Sequence, residues 1–407
     1  MQSRLIASLL AASFVASHSW SAVAEDPSES CNRIGCDVYR TLAVDSDGDV
    51  VIAPVSLCTQ LAMLRLGAER LTAEELDLLW SPDVVDTDFS DDMSRLMTSL
   101  ASSIPEEQWQ SINRMWIDES LDPRRAFETE LSEMFGSEVI PLNFRRAPAA
   151  RRVANLWGRR VSRNRIDDLI PRGWLERDTC FVLANIMLLD AEWKHPFDPS
   201  STHNARFHLS ERRQRTVKMM KQKRQFRYAE VDGAHIVELP YKEDSLSMVL
   251  VVPLEIEGLK EIESDLSGET VETWFRALAK PEIAEKARGG LASIPPLVTL
   301  WLPRFAGHSD VDLAAPLESL GLQTLFSREP STLPLISDDP RLYLQGMLQS
   351  TWIAVDEQGT RAASATRGKG GFGGGPMMVE VRADRPFLYL VRHGQSNTIL
   401  LIGRMTG

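Results

Sequence analysis

The stretch VDEQGTRAASATRGKGGFGGGPMM, residues 355–378, alternates like a strand but has the glycine content of a loop. From Thr360 to Gly370, every even-numbered residue is small and uncharged. Three cations occupy odd-numbered positions: Arg361, Arg367 and Lys369. Because side chains alternate between the two faces of a strand, this pattern would place small residues over a core and cations in solvent. The glycines of residues 368–375 argue against permanent burial, so we interpret the stretch as a loop that can become a strand.

Residues 1–24 have the pattern of a secretory signal. Arg4 gives a charged start, residues 5–16 form a short apolar run, and Ala22-Val23-Ala24 resembles a cleavage site. The run is too short to span a bilayer, and no later stretch is long enough. We therefore expect a secreted or periplasmic mature chain that begins near Glu25 and has no membrane partner. With 43% hydrophobic and 25% charged residues, the chain has the composition of a globular protein with a large core.

The net charge of the chain is −12, which disfavours a general nucleic-acid binder. One segment departs from this balance, because residues 145–165 contain eight arginines and no acid. They are Arg145, Arg146, Arg151, Arg152, Arg159, Arg160, Arg163 and Arg165. Such a cluster either attracts a polyanion or an acidic partner, or is a solvated helix face that balances negative charge elsewhere.

Four cysteines are too few to form a disulfide scaffold in a chain of 407 residues. Cys31 and Cys36 can pair only if the chain between them is not helical, because five residues of helix rise by about 7.5 Å and exceed disulfide reach. Both alternatives are open at this level. Cys58 and Cys180 stand in apolar contexts, and we expect them to be unpaired core thiols.

Helix patterns dominate the first part of the chain and strand patterns the remainder. Apolar spacing predicts helices at residues 55–66, 73–79, 125–135 and 150–161, with Thr72 as the cap of the second. Strands are predicted at residues 110–117, 138–144, 181–189, 235–241, 246–252, 298–302, 387–391 and 398–402. Because helices and strands do not alternate regularly, we expect an α+β fold.

No motif in the sequence indicates catalysis or a bound metal. Residues 45–49, DSDGD, resemble the start of a calcium loop but lack the glutamate that such a loop requires. His203 and His208 have no companions at metal-ligand spacing, and the glycine cluster lacks the ending of a phosphate loop. We therefore expect neither an enzyme nor a cofactor.

Several segments resemble, in one order along the chain, a single family, the serpins. They are residues 50–76, 182–198, 239–241, 302–305, 355–366 and 383–391. Residues 355–366, VDEQGTRAASAT, are similar to the hinge of the family's reactive loop, and residues 383–391, ADRPFLYLV, to its C-terminal signature. The resemblance covers nearly the whole mature chain.

The resemblance implies a single domain at residues 25–407 with three β-sheets, about eight or nine helices and an exposed reactive-centre loop at about residues 357–380. It implies that the loop is bait for a serine or a cysteine protease, which is trapped as an acyl-enzyme when the cleaved loop inserts into the main sheet. The protein would be an exported, monomeric protease inhibitor. The rival interpretation is a serpin-fold protein that does not inhibit and is a binding or carrier protein, or a simple protease substrate.

The resemblance also implies two groups of functional residues. The insertion hinge consists of Glu357, Gly359, Thr360, Ala362, Ala363, Ser364, Ala365 and Thr366. The region where the sheet opens consists of Ser56, Asn155, Asn185, Trp193 and Gln349. Three positions depart from the family: Gln349 replaces a buried histidine and Ala53 a serine, both in a polar cluster beneath the main sheet, and Arg361 replaces an acid.

The scissile bond is open between neighbouring positions. Counting forward from Glu357 places it at Gly373 and Gly374, whereas counting back from the C-terminal signature places it nearer Gly375. Phe372 is the alternative, because it is the only large side chain nearby and would suit a chymotrypsin-like pocket. Gly373 would suit an elastase-like protease.

Overall fold

The computed structural model describes residues 26–82, 88–279, 295–328, 332–360 and 377–407. The expected export signal, residues 1–24, lies outside these ranges. Residues 361–376 also lie outside them, and they include most of the hinge and every candidate scissile position.

Nine α-helices lie within the described residues. They are α1 (Pro27–Val44), α2 (Pro54–Arg65), α3 (Arg70–Trp80), α4 (Phe89–Ser103), α5 (Arg125–Phe135), α6 (Ala147–Val161), α7 (Leu259–Ser264), α8 (Gly268–Ala279) and α9 (Ala314–Ser319), with 3₁₀ turns at Phe144–Arg146 and Pro199–Ser201. Local chemistry sets several ends. Asp26 caps α1 by accepting a hydrogen bond from the Ser28 amide at 2.8 Å, and Gly136 ends α5 in the left-handed conformation.

The strands of the described residues form three sheets and one short pair. The six-stranded sheet has the order β1 (Val50–Ile52), β17 (Ile399–Met405), β16 (Phe387–His393), β10 (Leu246–Pro253), β9 (Ala234–Pro240) and β8 (Arg227–Val231). The four-stranded sheet has the order β15 (Met378–Arg382), β11 (Leu297–Pro303), β7 (Gln214–Gln225) and β6 (His203–His208). The five-stranded sheet has the order β12 (Phe305–Asp312), β13 (Leu344–Val355), β4 (Phe181–Leu189), β2 (Trp109–Asp118) and β3 (Val139–Leu142), and the pair is β14 (Gly359–Thr360) with β5 (Ala191–Glu192). The expected α+β class with three sheets is confirmed.

The five-stranded sheet separates two layers of core. Every residue of β4 is buried, as its continuous apolar run predicts. Odd-numbered apolar side chains of β4 join the main core with α2, and even-numbered ones join a smaller core with α6. Gly158 lets the segment after α6 pack closely on the helix, because a Cβ there would lie 3.2 Å from the Leu169 Cβ.

The structure answers two questions of local structure: whether the cysteines of α1 are paired, and at which residue α3 begins. α1 contains both Cys31 and Cys36, and both are buried and unpaired, because a helix holds residues at this spacing too far apart for a disulfide. α3 begins at Arg70, so Thr72 lies inside the helix and the prediction that it is the cap is wrong. Its hydroxyl instead contacts Thr324 at 3.0 Å. Two other residues, Cys58 and Cys180, are buried and unpaired, as expected.

No helix within the described ranges has the length and apolar character to cross a bilayer. His203 and His208 both lie on β6. The same ranges hold no group of three or more His, Cys, Asp or Glu side chains arranged to bind a metal ion.

Candidate functional site

The candidate site lies along the seam between β13 and β4, which are parallel neighbours in the five-stranded sheet. Gln349 lies beside Asn185 in this register. The chain turns back after β13 and forms β14 against β5, which follows β4 after Asp190. The described part of the loop therefore begins at the C-terminal end of the seam.

Trp193 closes this end of the seam. Its indole stacks on Tyr241 with ring centroids 4.6 Å apart and an interplanar angle of 9°. Its Nε1 donates to the Asp356 carbonyl at 3.0 Å, and its backbone N–H donates to the Gln358 carbonyl at 2.9 Å. Trp193 is buried, so these contacts hold the turn after β13 against the end of β4.

The Glu357 carboxylate is a buried anion in the same turn. Its Oε1 accepts hydrogen bonds from Nε and Nη2 of Arg304 at 2.8 and 2.5 Å and from the Thr202 hydroxyl at 2.5 Å. Burial by itself would raise the pKa of Glu357, but the bonds from Arg304 and Thr202 outweigh it and hold the pKa below its ordinary value of 4.5. Glu357 is therefore charged at neutral pH and links the turn to the junction of β11 and β12.

Gly359 and Thr360 begin the return of the chain along β5. Gly359 has a φ of +149°, and a Cβ there would lie 2.3 Å from the Ala191 carbonyl oxygen, so only glycine fits. Thr360 is fully buried, and its hydroxyl is 2.9 Å from the Tyr241 hydroxyl. The other predicted loop residues lie outside the described ranges: Arg361, Ala362, Ala363, Ser364, Ala365, Thr366, Phe372, Gly373 and Gly374.

Gln349 lies beneath the seam and holds the start of α2. Its Oε1 accepts from the Ala53 N–H at 2.8 Å, and its Nε2 donates to the Ala53 carbonyl at 3.1 Å. The side chain is buried. The two departures from the family pattern thus meet in space, because an amide can pair with both backbone groups of an alanine that has no hydroxyl.

Ser56 and Asn185 meet through Ser111 of β2. The Ser111 Oγ is 2.8 Å from the Ser56 Oγ and accepts from the Asn185 Nδ2 at 3.0 Å. The same Nδ2 donates to Asn113 at 2.9 Å, whereas the buried Asn185 Oδ1 has no hydrogen-bond partner among the described residues. Gln349, Ser56 and Asn185 therefore form one polar layer on the main-core side of the sheet.

Asn155 lies on the opposite side of the sheet, apart from this polar layer. Its Nδ2 donates to Asp168 at 2.7 Å and to the Ile170 carbonyl at 3.2 Å, and its Oδ1 accepts from the Ile170 N–H at 2.8 Å. These bonds hold the segment after α6 against the helix. The separation arises because α6 covers the even-numbered face of β4, whereas Asn185 is odd-numbered.

The eight arginines occupy the 3₁₀ turn before α6, α6 itself and the segment after it. Four are paired: Arg151 with Asp168, Arg159 with Asp167 at 3.7 Å, and Arg163 and Arg165 with Asp190 at 3.7 and 2.8 Å. Within the part of the chain that the structure describes, the others form no ion pair: Arg145, Arg146, Arg152 and Arg160. These four arginines are exposed.

Four residues complete the site without having been predicted from the sequence: Thr202, Ser111, Tyr241 and Arg304. Tyr241 and Arg304 belong to segments that resemble the family, so a search for partners of Thr360 and Glu357 in those segments could have found them. Ser111 and Thr202 are ordinary polar residues, and no pattern in the sequence distinguishes them.

Comparisons with known protein sequences relate nearly the whole chain to one family. A family model described as Serpin (serine protease inhibitor) matches residues 29–407. Antithrombin-III of Mus musculus is 29% identical over 391 residues, which cover 93% of this chain and 81% of that protein. Leukocyte elastase inhibitor of Equus caballus is 29% identical over 394 residues, with 94% and 99% covered, respectively. Plasminogen activator inhibitor 1 of Bos taurus is 29% identical over 378 residues, with 91% and 90% covered.

Solved structures extend the comparison to the fold. Human thyroxine-binding globulin has a TM-score of 0.81 at 23% identity, covering 93% of this chain and 98% of that one. Uncleaved ovalbumin has a TM-score of 0.79 at 21% identity, covering 94% and 100%. These likenesses concern the fold alone. Because the family match spans residues 29–407 and the described residues form the expected α+β fold with three sheets, this protein belongs to the serpin family.

Proposed function

We propose that this serpin is an exported inhibitor of serine proteases, with a reactive-centre loop at about residues 357–380 that inserts between β13 and β4 after cleavage. The observation that carries the proposal is the position of β14, which lies antiparallel to β5 at the end of the seam. The names of two relatives, antithrombin-III and leukocyte elastase inhibitor, support this class of target. Cysteine proteases, which also form an acyl-enzyme, are a second class to test. Export rests on the signal pattern of residues 1–24.

A parallel pair of strands can accept one further strand with antiparallel pairing on both sides. The chain reverses direction after β13, so a strand formed by the loop runs antiparallel to β13 and also to β4. Opening the seam breaks one ladder, and insertion forms two. Each backbone hydrogen bond contributes about 0.5–1.5 kcal/mol net, so a gain of about ten bonds stabilises the inserted form by on the order of 10 kcal/mol.

The pairing of β14 also indicates the register of the inserted strand. Gly359 lies opposite Glu192 and Thr360 opposite Ala191. Continued along β4 without a bulge, this register pairs Ala362 with Leu189, Thr366 with Asn185 and Gly370 with Phe181. The small even-numbered loop residues would then lie on the main-core side of the sheet, where the odd-numbered β4 side chains lie. Thr366 would bring a hydroxyl donor to the unsatisfied Asn185 Oδ1.

The alternation alone suggests that the odd-numbered loop residues would enter solvent, but this register does not place them there. In the same register, Arg367 pairs with Ala184 and Ala363 with Leu188, and both β4 residues lie in the smaller core with α6. Deep insertion therefore requires α6 to move away from the sheet. Arg361 is the exception, because it pairs with the partly exposed Asp190 at the end of the seam.

A serpin-fold protein that does not inhibit is the second candidate. One fold neighbour is thyroxine-binding globulin, solved in complex with its ligand. The loop argues for inhibition, because no bulky, charged or proline residue occupies the even positions from Thr360 to Gly370. A carrier would have no need for this alternation.

A swap of two neighbouring loop residues provides the sharpest test. Wild-type protein that has been cut within residues 361–376 should unfold at a higher temperature than intact protein, and with a target protease it should form a complex that survives SDS. The variant Arg361→Ala/Ala362→Arg keeps the composition and charge of the loop but moves the cation to the core-facing position. We expect it to be cleaved without either effect, while Arg361→Ala alone retains both. Cleavage of the wild type with no thermal gain and no complex would refute inhibition and favour the second candidate.

Mass spectrometry of the released C-terminal peptide would identify the scissile bond. Cleavage after Phe372 would indicate a chymotrypsin-like target, and cleavage after Gly373 an elastase-like one. Cleavage at Lys369 or Met377 would contradict both assignments.

A further inference from the structure

The outer face of α6 carries side chains that loop insertion does not use. The inner face packs on the sheet through Ala154 and Gly158. On the opposite side, Arg152, Leu156 and Arg160 follow one another at four-residue spacing, so they lie in one row along the helix. All three are exposed.

Two apolar side chains form the centre of this outer face. Leu156 is 67% exposed and Val153 is 52% exposed. A single exposed leucine is ordinary, but residues three apart on a helix are neighbours. Leu156 and Val153 therefore form one apolar surface, flanked by Arg152 and Arg160.

The arginines around this apolar centre are not explained by a contribution to the stability of α6. Arg145, Arg146, Arg152 and Arg160 have no ion-pair partner in the described ranges. Arg146 stands at the N-terminus of α6, where the helix dipole favours acids, and the first turn contains none. In a chain with a net charge of −12, an unpaired cationic face is a site of attraction for a negative partner.

We propose that the outer face of α6 binds an acidic segment of another protein, one that carries carboxylates on both sides of an apolar side chain. Guanidinium groups pair with carboxylates in a two-pronged geometry, and the apolar side chain covers Leu156 and Val153. A sulfated polysaccharide would pair with the cations but leave the apolar centre uncovered. A lipid surface would require more apolar or aromatic area than two aliphatic side chains provide.

This binding does not depend on the loop, so it can be tested independently of protease inhibition. A consequence for insertion does rest on the proposed function. Because α6 covers β4, a segment bound to α6 would hold the helix in place and slow insertion.

The test measures the affinity of the full chain for a labelled helical peptide of about 18 residues, or five turns, with glutamates flanking a leucine row. We expect Arg152→Gln/Arg160→Gln to weaken binding by about tenfold and Leu156→Ser by about fivefold, as central interface residues do. Two matched surface controls should change affinity less than about twofold: Leu78→Ser on α3, where the leucine is 62% exposed, and Arg212→Gln in an exposed loop.

Three results would overturn the assignment. Unchanged affinity in both α6 variants would show that the peptide binds elsewhere. Tighter binding of dextran sulfate than of the peptide, insensitive to Leu156→Ser, would make the face a polyanion site. Binding to vesicles containing phosphatidylserine, without binding to the peptide, would make it a membrane surface.

Discussion

Gln349 shows how one side chain can replace two polar partners. It both donates to and accepts from the backbone of Ala53, which lies 296 residues away in the sequence. The Ala53 carbonyl also accepts from the Leu57 amide at 3.0 Å, whereas the Ala53 N–H donates to the Gln349 side chain. Loss of the Gln349 side-chain amide would therefore leave the buried Ala53 N–H beneath the seam without a hydrogen-bond acceptor.

The variant Gln349→Ala should lower the free energy of unfolding by about 1–3 kcal/mol, the cost of an unsatisfied buried donor. Denaturant unfolding followed by fluorescence measures the effect. Gln214→Ala, at the exposed first residue of β7, is the control and should be nearly neutral. An equal loss in both variants would contradict a specific role for Gln349.

Glu357 predicts a dependence on pH. Its pKa in the folded protein is lowered because Arg304 and Thr202 stabilise the charged form against the opposing effect of burial. A lowered carboxyl pKa contributes stability that is present above the ordinary value of 4.5 and is lost as the pH falls through the folded value. We expect Glu357→Gln to be less stable than the wild type by about 1–2 kcal/mol at neutral pH, with the difference shrinking below pH 4.5. Thermal unfolding across pH measures this.

The control for Glu357 is Glu107→Gln, because Glu107 is exposed. It should have little effect at any pH. If the difference between wild type and Glu357→Gln stayed constant through the acidic range, the ion pair with Arg304 would not be its source.

Among the elements, the proposed insertion would begin beside Asp190, at the end of the seam between β13 and β4. Asp190 now accepts from Arg165 at 2.8 Å and lies 3.7 Å from Arg163. In the proposed register, Arg361 would come directly opposite Asp190. If the loop inserts as proposed, the arginine that departs from the family pattern would gain an acidic partner at the first step.

The variant Arg361→Glu should slow insertion, because two carboxylates would face each other across the new ladder. Like charges at opposed positions cost about 0.2–1 kcal/mol, which corresponds to a factor of about 1.4–5 in rate. More loops would then be cleaved before the protease is trapped, and the number of inhibitor molecules consumed per protease would rise. Asp190→Asn should remove the penalty of Arg361→Glu in a double-mutant cycle. A penalty that persists when Arg361→Glu is combined with Asp190→Asn would show that the register is wrong.

At the scale of the whole molecule, the C-terminal segment is built into the core. All residues of β16 and β17 are buried, inside the six-stranded sheet. Arg404 pairs with Glu263 at 2.9 Å, and Arg392 pairs with Glu238 at 2.7 Å. Both pairs are buried, so the segment after the loop is held by packing and charge as well as by the chain.

Protein cut in the loop should therefore remain one particle in size-exclusion chromatography and separate into two fragments only in denaturant. Arg404→Ala should release the C-terminal fragment at a lower denaturant concentration, because an unpaired buried Glu263 costs about 3–5 kcal/mol. The control Arg382→Ala removes an exposed pair with Glu380, which is worth less than about 1 kcal/mol. Spontaneous dissociation of the cut wild type would contradict this account.

The sequence predicted elements best where the local pattern and the tertiary environment agree. The helix predicted at residues 125–135 and the strand at residues 181–189 have the observed boundaries, because an amphipathic helix and a fully buried strand are marked by their own residues. Thr72 does not cap α3 because the helix begins two residues earlier, at Arg70, and its hydroxyl contacts a distant residue, Thr324. The site was predicted only in part for the same reason, since Arg304 and Ser111 reach it through folding and not through neighbouring residues.

The α+β class and the alternation of the loop followed from the sequence because they depend on composition and short-range spacing, whereas the seam residues were named only through the resemblance to the serpin family. Three relations are visible only in the folded molecule: Gln349 reaches Ala53, Asn155 lies across the sheet from Asn185, and α6 covers one face of β4. These relations join segments that are far apart in the chain. They are set by strand register and by the packing of whole elements, which no local pattern encodes.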